Sequence, residues 1–144
     1  MFTINELANF TGLTTRTIRN YINIGLIHGT KINGKWQFED EEMDRILTDP
    51  YIRLSIQSKK KSLVEDFMIM DKKQANEMCV ILDSKQTIEE RNDVIQFIND
   101  YLNNKDCGIN MAFEQIKDYA RLIITGPEAK VLDFLLEYRK LKAE

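Results

Sequence analysis

Residues Thr14–Phe38, TTRTIRNYINIGLIHGTKINGKWQF, form the stretch that decides the fold. This stretch contains the basic residues Arg16, Arg19, Lys31 and Lys35 and no acidic residue, although the 144-residue chain has a formal net charge of -3. Its first half has the periodicity of a short helix, and its second half has the pattern of a tight β-hairpin. The sequence therefore predicts a basic helix followed directly by a basic hairpin.

Two short helices joined by a turn are predicted at the start of the chain. Thr3 and Glu6 have the spacing of a capping box for the first helix, and Gly12 is of the residue type that commonly ends helices. A threonine, Thr14 or Thr15, is expected to cap the second helix. Two helices joined in this way form a helix-turn-helix, the second helix of which enters the major groove when such a protein binds DNA.

The second helix is expected to have one apolar face and one polar face. Ile18, Tyr21 and Ile22 recur at helical spacing and are predicted to point inward, and Gly25 is the predicted C-cap. The outward face contains residue types that contact phosphates and base edges, namely Thr15, Arg16, Arg19, Asn20 and Asn23. Tyr21 is a further candidate for DNA contact through its hydroxyl group, with its ring expected in the core.

The hairpin is predicted from the Asn33-Gly34 pair, because a type I′ turn requires positive φ at both central residues. Strand alternation places Trp36 and Phe38 on the face toward the helices and turns Lys35 and Gln37 outward. The residues expected to contact DNA phosphates from this hairpin are Lys31, Asn33 and Lys35. A basic helix followed by such a hairpin is the layout of a winged helix-turn-helix.

An acidic run follows the hairpin, from Glu39 to Asp44. These residues are expected to begin a third helix, where the helix dipole favours negative charge, and to mark the edge of any surface that faces phosphates. Asp49 and Pro50 then predict the start of a long helix that reaches about Met70. Its predicted packing seam consists of Ile56, Leu63, Phe67 and Met70.

The triplet Lys59-Lys60-Lys61 interrupts this seam. It is interpreted either as a solvated helix face or as an auxiliary phosphate contact.

The last part of the chain has the order strand, helix, strand, strand, helix. The strands are predicted at residues 78–82, 109–115 and 119–125. A helix is predicted between the first two, beginning at Thr87 with Glu90 as its capping-box partner. A final helix is expected after Gly126-Pro127, with an inward stripe of Val131, Leu132, Leu135, Leu136 and Leu141. This order predicts a small antiparallel or mixed sheet with helices on one face, and pairing of its free edges predicts a dimer.

The predicted fold class is therefore α+β. An N-terminal winged helix-turn-helix is expected at residues 1–48 and a long linker helix at 49–76. A small C-terminal βαββα domain for dimerisation or regulation is expected at 77–144.

Residues 2–46 resemble the N-terminal domain of MerR-family transcriptional regulators. The segments Thr15–Tyr21 and Ile24–Ile27, followed by the hairpin and an acidic helix, match the pattern of that family at the expected spacing. The resemblance implies a winged helix-turn-helix that binds double-stranded DNA. Two positions depart from the pattern: Asn20 replaces an aromatic residue, and Gln37 replaces an arginine that contacts phosphate in the wing. The C-terminal segment is unlike the usual metal or drug sensors of the family, so neither metal nor ligand is carried over.

Other features exclude several classes of protein. No apolar run approaches the roughly 20 residues needed to cross a membrane, and the N-terminus lacks the pattern of a secretory signal. Cys79 and Cys107 are expected to be reduced, buried thiols, which together with the missing signal predicts a cytoplasmic protein. No cofactor and no metal site is expected, and no nucleophile–base pair or phosphate loop supports an enzyme.

The predicted function is a sequence-specific bacterial DNA-binding regulator that acts as a homodimer, with two recognition helices in major grooves and two wings on phosphates. Two alternatives remain at this point. One is an excisionase-like architectural factor, since the wing residues 34–38 also resemble those proteins. The other is a protein-interaction adaptor whose winged domain no longer binds DNA. A small-molecule effector of unknown identity for the C-terminal domain also remains open.

Overall fold

The structure is a computed structural model that describes residues 1–71, 73, 76–104 and 108–143. The described residues have the predicted α+β class, with six helices and two three-stranded antiparallel sheets. Cys79 is a free, half-buried thiol, and burial raises its pKa. Cys107, predicted as a reduced buried thiol, lies outside the described residues, as do residues 72, 74 and 75 of the predicted linker. In the described ranges, no helix combines the length and apolarity that would let it span a membrane.

The first seven elements follow one another with short connections. They are β1 (Phe2–Thr3), α1 (Ile4–Thr11), α2 (Thr15–Asn23), β2 (Thr30–Ile32), β3 (Lys35–Phe38), α3 (Asp40–Thr48) and α4 (Pro50–Ile69). The capping box of Thr3 and Glu6 is confirmed, and Gly12 caps the end of α1 with a φ of 77°. Asp49 caps α4 by accepting from the backbone N–H groups of Tyr51 and Ile52. Local sequence signals therefore set these helix ends.

The remaining elements have the predicted order of strand, helix, strand, strand, helix. They are β4 (Glu77–Lys85), α5 (Ile88–Asn104), β5 (Asn110–Ile116), β6 (Tyr119–Pro127) and α6 (Glu128–Ala143). All pairs in this sheet are antiparallel, in the order β4-β6-β5. The predicted capping box at Thr87 and Glu90 begins α5. β4 and β5 are therefore the two edge strands.

The expectation that helices cover only one face of this sheet is wrong. Phe113 and Glu114 are neighbours in β5 and so point to opposite faces, yet both are almost fully buried. Phe113 packs edge-on against Phe10 of α1, with ring centroids 6.0 Å apart. Glu114 lies under α4, which crosses the opposite face of the sheet. β5 is therefore enclosed between helices from two parts of the chain.

The seam of α4 also differs from the prediction. The buried residues of α4 are Ile52, Ile56 and Lys60, one helical turn apart, whereas Met70 is 56% exposed. Neither interpretation of the lysine triplet describes Lys60, which is 6% exposed and forms an ion pair with Glu114. The sequence could not reveal this pair because its carboxylate comes from a distant strand.

Glu114 is held by two further side chains of α4. Gln57 donates from Nε2 to Oε1 of Glu114 at 2.9 Å, and the guanidinium of Arg53 lies 3.5 Å from the same oxygen. Removing one member of a buried ion pair leaves the other uncompensated in a medium of low polarity. The pair therefore fixes where α4 sits on the sheet.

The inward stripe of α6 is only partly the predicted one. Val131 is buried and Leu135 and Leu141 pack against the core, as predicted. Leu132 and Leu136 are exposed instead, and Phe134 and Tyr138 are buried. Phe134 contacts Tyr101 of α5 edge-on, with ring centroids 5.1 Å apart. The aromatic contacts between α5 and α6 therefore set the orientation of α6, with Phe134 inward and Leu132 and Leu136 facing solvent.

A single cluster of buried apolar residues runs from Phe2 to Tyr138 and includes residues of all three predicted segments. Polar contacts reinforce it: Arg91 of α5 pairs with Asp44 of α3 at 2.6 Å, and Asn9 donates to Asn103 at 3.0 Å. The division at residues 48 and 76 stays a prediction, and the three segments are in direct contact.

We expect Glu114→Leu to lower the free energy of unfolding by about 3 kcal/mol, because Lys60 is then buried without a carboxylate. The double variant Lys60→Met/Glu114→Leu should recover at least half of that loss, since it removes both charges. Urea unfolding followed by circular dichroism measures both values. Lys61→Met, which changes an exposed neighbour, is the matched control and should stay near the parent protein. Equal losses in the single and the double variant would show that the ion pair does not cause the effect.

Candidate nucleic-acid interface

The helix α2 is positioned by caps at both ends and by a buried face. The hydroxyl of Thr14 accepts a hydrogen bond from the backbone N–H of Thr17 at 3.1 Å, so Thr14 is the cap. The helix ends at Asn23, and Gly25, two residues later, has a φ of 79°. Ile18 and Tyr21 are its buried residues. The opposite face of α2 is left exposed.

This exposed face contains the predicted contact residues. Arg16, Arg19, Asn20 and Asn23 are exposed, and Thr15 at the first turn is half-buried. Across the part of the chain that the structure describes, neither arginine forms an ion pair with a carboxylate. Their guanidinium groups are therefore not neutralised within the described protein.

The wing is a hairpin of β2 and β3. Asn33 and Gly34 have φ values of 53° and 78°, which confirms the predicted turn because both central residues of a type I′ turn need positive φ. Lys31 and Lys35 are exposed on the two strands. The ammonium of Lys31 lies 5.3 Å from the ring centroid of Trp36, a distance at which the ring face attracts a cation. The wing therefore presents its positive charges to solvent.

A cleft of about 260 Å³ lies between α2 and the wing, and basic side chains from both elements line it. Arg19 lines it from α2, and Lys35 and Trp36 line it from β3. The floor comes from Thr3, Ile4 and Asn5, which are brought here because β1 pairs with β3. Among the residues that the structure describes, no acidic one lines this cleft. Two cations that are distant in sequence therefore share one acid-free surface.

Asn5 belongs to this surface although the sequence reasoning missed it. It is exposed in the first turn of α1 and lines the cleft beside Arg19. An asparagine can donate to a phosphate or read a base edge. Its position beside the capping-box residue Thr3 was visible in the sequence, but the pairing of β1 with β3 was not. Only that pairing brings Asn5 next to the wing.

Tyr21 lies apart from this surface. The side chain is 6% exposed, and its hydroxyl is 2.6 Å from Oγ of Ser55 in α4. Its ring contacts the ring of Tyr51 edge-on, with centroids 5.9 Å apart. Tyr21 therefore connects α2 to α4 and does not line the cleft between α2 and the wing.

Three acidic residues of α3, Asp40, Glu42 and Asp44, have partners within the protein. The carboxylate of Glu42 accepts the backbone N–H of His28 at 2.9 Å and lies 3.7 Å from the guanidinium of Arg45. Asp44 pairs with Arg91 of α5, and Asp40 lies 3.6 Å from the N-terminal ammonium of Met1. These acidic side chains therefore form contacts within the protein, and none of them lines the cleft.

The comparison with known families matches this part of the chain. Residues 3–37 match the family model described as MerR family regulatory protein. The match covers α1, α2 and the wing up to Gln37. No curated protein and no solved structure matches the chain. The N-terminal segment is thus MerR-like over residues 3–37, and this match supports, at the level of the family, a DNA-binding regulatory function.

Proposed function

We propose that this protein is a sequence-specific, DNA-binding transcriptional regulator of a bacterial cytoplasm, that it acts as a homodimer and that it is not an enzyme. The observation that carries the proposal is the acid-free cleft shared by Arg19 of α2 and Lys35 of the wing. DNA affinity depends on local contacts with phosphates, so the acidic total charge does not oppose it.

In this proposal α2 enters the major groove and the wing follows the backbone. Arg16 and Arg19 are one helical turn apart, so together they can reach a guanine edge and a neighbouring phosphate. Thr15, Asn20 and Asn23 lie on the same helix and are the candidates for reading base edges. From the wing, Lys31, Asn33 and Lys35 contact phosphates.

The proposed homodimer uses the outer edge of β4. This strand has nine residues and pairs on one side only, with β6, among the described strands. An unpaired edge presents backbone donors and acceptors to any strand that can reach it. A second copy of β4, running antiparallel across a two-fold axis, joins the two sheets into one of six strands.

The charges of β4 favour one register for this pairing. When Ile81 faces its own copy, Glu77 of one protomer lies opposite Lys85 of the other, and this happens twice by symmetry. Centring the pair on Val80 instead would set Glu77 against Asp83, two like charges that repel across a strand pair. Lys85 can reach this contact because its side chain is 85% exposed, and its 4.0 Å ion pair with Asp118 is also on the surface.

We expect the variant Arg16→Ala/Arg19→Ala to lose at least about thirtyfold in affinity for duplex fragments selected from the host genome by the parent protein. Removing cations that contact phosphates also lowers the slope of log affinity against log salt by about 0.9 per contact. Fluorescence anisotropy at several salt concentrations measures both quantities, and circular dichroism checks the fold. The matched control Lys130→Ala/Arg139→Ala removes the same charge from α6 and should bind like the parent.

Three outcomes contradict this part of the proposal. If the parent protein retains no genomic fragment at low salt, the adaptor reading replaces the regulator. If the α2 variant and the α6 control lose affinity equally, the contact surface is not α2. Selection of fragments without a shared sequence would favour the architectural factor.

We expect Lys85→Glu to weaken the dimer by about tenfold, because two attractive cross-strand pairs become repulsive. The exchange Glu77→Lys/Lys85→Glu restores opposite charges and should restore the association. Sedimentation equilibrium gives both constants. An independent check uses Ile81→Cys in a chain with Cys79→Ser and Cys107→Ser, which should form a disulfide-linked dimer on mild oxidation. Ile88→Cys in the same background is the control, since this exposed residue of α5 lies off the strand. A monomeric parent, or a dimer indifferent to both charge variants, would rule out this edge.

A further inference from the structure

A second cavity, of about 590 Å³, lies between α4 and the face of the C-terminal sheet that α4 crosses. The helix lines it with Arg53, Gln57, Lys60 and Lys61, and the sheet lines it with residues of β4, β5 and β6. Its volume falls within the range of small-molecule sites. None of the residues proposed for DNA contact lines this cavity, and of its lining Ile81 also belongs to the β4 edge proposed for the dimer.

The described lining of this cavity has more basic than acidic side chains. Its lining contains four cations, Arg53, Lys60, Lys61 and Arg121, and one carboxylate, that of Glu114. Arg121 is paired with Asp83 through two hydrogen bonds of 2.7 and 2.8 Å. Lys61, on the exposed side, lies 3.9 Å from the carboxylate of Glu65. Arg53 and Lys60 share Glu114, so the four cations of the lining have three carboxylate partners among the described residues and keep a surplus of one positive charge.

One buried donor in the lining is also unused. The Nε atom of Arg53 is buried and has no hydrogen-bond partner within the described ranges. A buried donor without a partner costs free energy comparable to a lost hydrogen bond. An acceptor on a bound molecule would satisfy it.

Apart from Gln57, the rest of the described lining consists of three isoleucines and a tyrosine. Ile81 of β4 pairs in register with Ile123 of β6, and Ile116 of β5 pairs with Tyr119. All four line the cavity, and Ile81 is 57% exposed. An apolar wall beside a small number of polar groups is the usual composition of a site for an organic molecule.

The pKa of Lys60 is lowered although the carboxylate of Glu114 lies against its ammonium. Burial, the largest cause, and the guanidinium of Arg121 together lower this pKa to about 8, against the opposing effect of Asp83. A second anion near Lys60 would favour its charged form.

We propose that this cavity binds a small organic anion, a carboxylate with an apolar body. The carboxylate lies against Arg53 and Lys61 at the α4 side, where the guanidinium supplies directed donors. The apolar body lies on Ile81, Ile116 and Ile123 of the sheet. The site is separate from α2 and the wing, and its test uses no DNA.

The test is a titration of the full chain with benzoate, followed through the methyl signals of labelled isoleucines. We expect saturable shifts at Ile81, Ile116 and Ile123 and none at Ile88, which is exposed on α5. The neutral isostere benzamide should give at least tenfold weaker binding, and inorganic phosphate should not shift the three methyl signals. Arg53→Gln should weaken benzoate binding about tenfold, since it removes a charge-assisted contact. Lys59→Gln, a charge change next to Lys60 but outside the lining, is the matched control.

Each other result overturns the proposal. Shifts that do not saturate, or that appear equally at Ile88, would mean nonspecific contact. Equal affinity for benzamide would remove the recognition of charge, and equal affinity for phosphate would remove the role of the apolar wall. Equal losses in Arg53→Gln and Lys59→Gln would show that net charge, and not this cavity, attracts the anion.

Discussion

The structure depends on the enclosure of β5 between helices from two parts of the chain. On one face of this strand Phe113 packs against Phe10 of α1, and on the other Glu114 pairs with Lys60 of α4. Both contacts need the MerR-like segment and the C-terminal sheet at once. A shift of α4 by one helical turn would separate the buried ammonium from its carboxylate, at a cost of several kcal/mol. This single strand therefore fixes the position of the winged segment relative to the sheet.

The separation of charge follows from the same arrangement. Acidic residues that follow the wing in sequence are used in contacts with the N-terminus, with the loop after α2 and with Arg91 of α5. Arg16 and Arg19 receive no such partner among the described residues. A chain with a net charge of -3 can therefore present a surface without carboxylates. The field near a phosphate depends on that local surface, because charges beyond about 10 Å are largely screened at moderate salt.

The helix α4 contacts both surfaces for which we propose a ligand. Near its start, Ser55 lies within hydrogen-bond distance of Tyr21 on the buried side of α2. Its basic residues Arg53, Lys60 and Lys61, on either side of Ser55 in sequence, line the cavity over the sheet. One rigid helix thus connects the inner face of the candidate recognition helix with the candidate anion site.

The sequence by itself determined the features that arise within a few residues. The capping boxes at Thr3 and Thr87, the turn at Asn33-Gly34 and the polar face of α2 all depend on neighbouring residues, so local chemistry was sufficient to predict them. Only the tertiary structure decided which charged residues are buried and which leucines are exposed to solvent. From the sequence, Lys60 was expected either on a solvated helix face or at a phosphate, but in the structure it is buried against Glu114. Leu136 was expected in the core, but it is exposed because aromatic contacts between α5 and α6 set the orientation of α6. Both outcomes depend on contacts with residues that are distant in the chain. The spacing of residues within one helix contains no information about which distant side chain will pack against it.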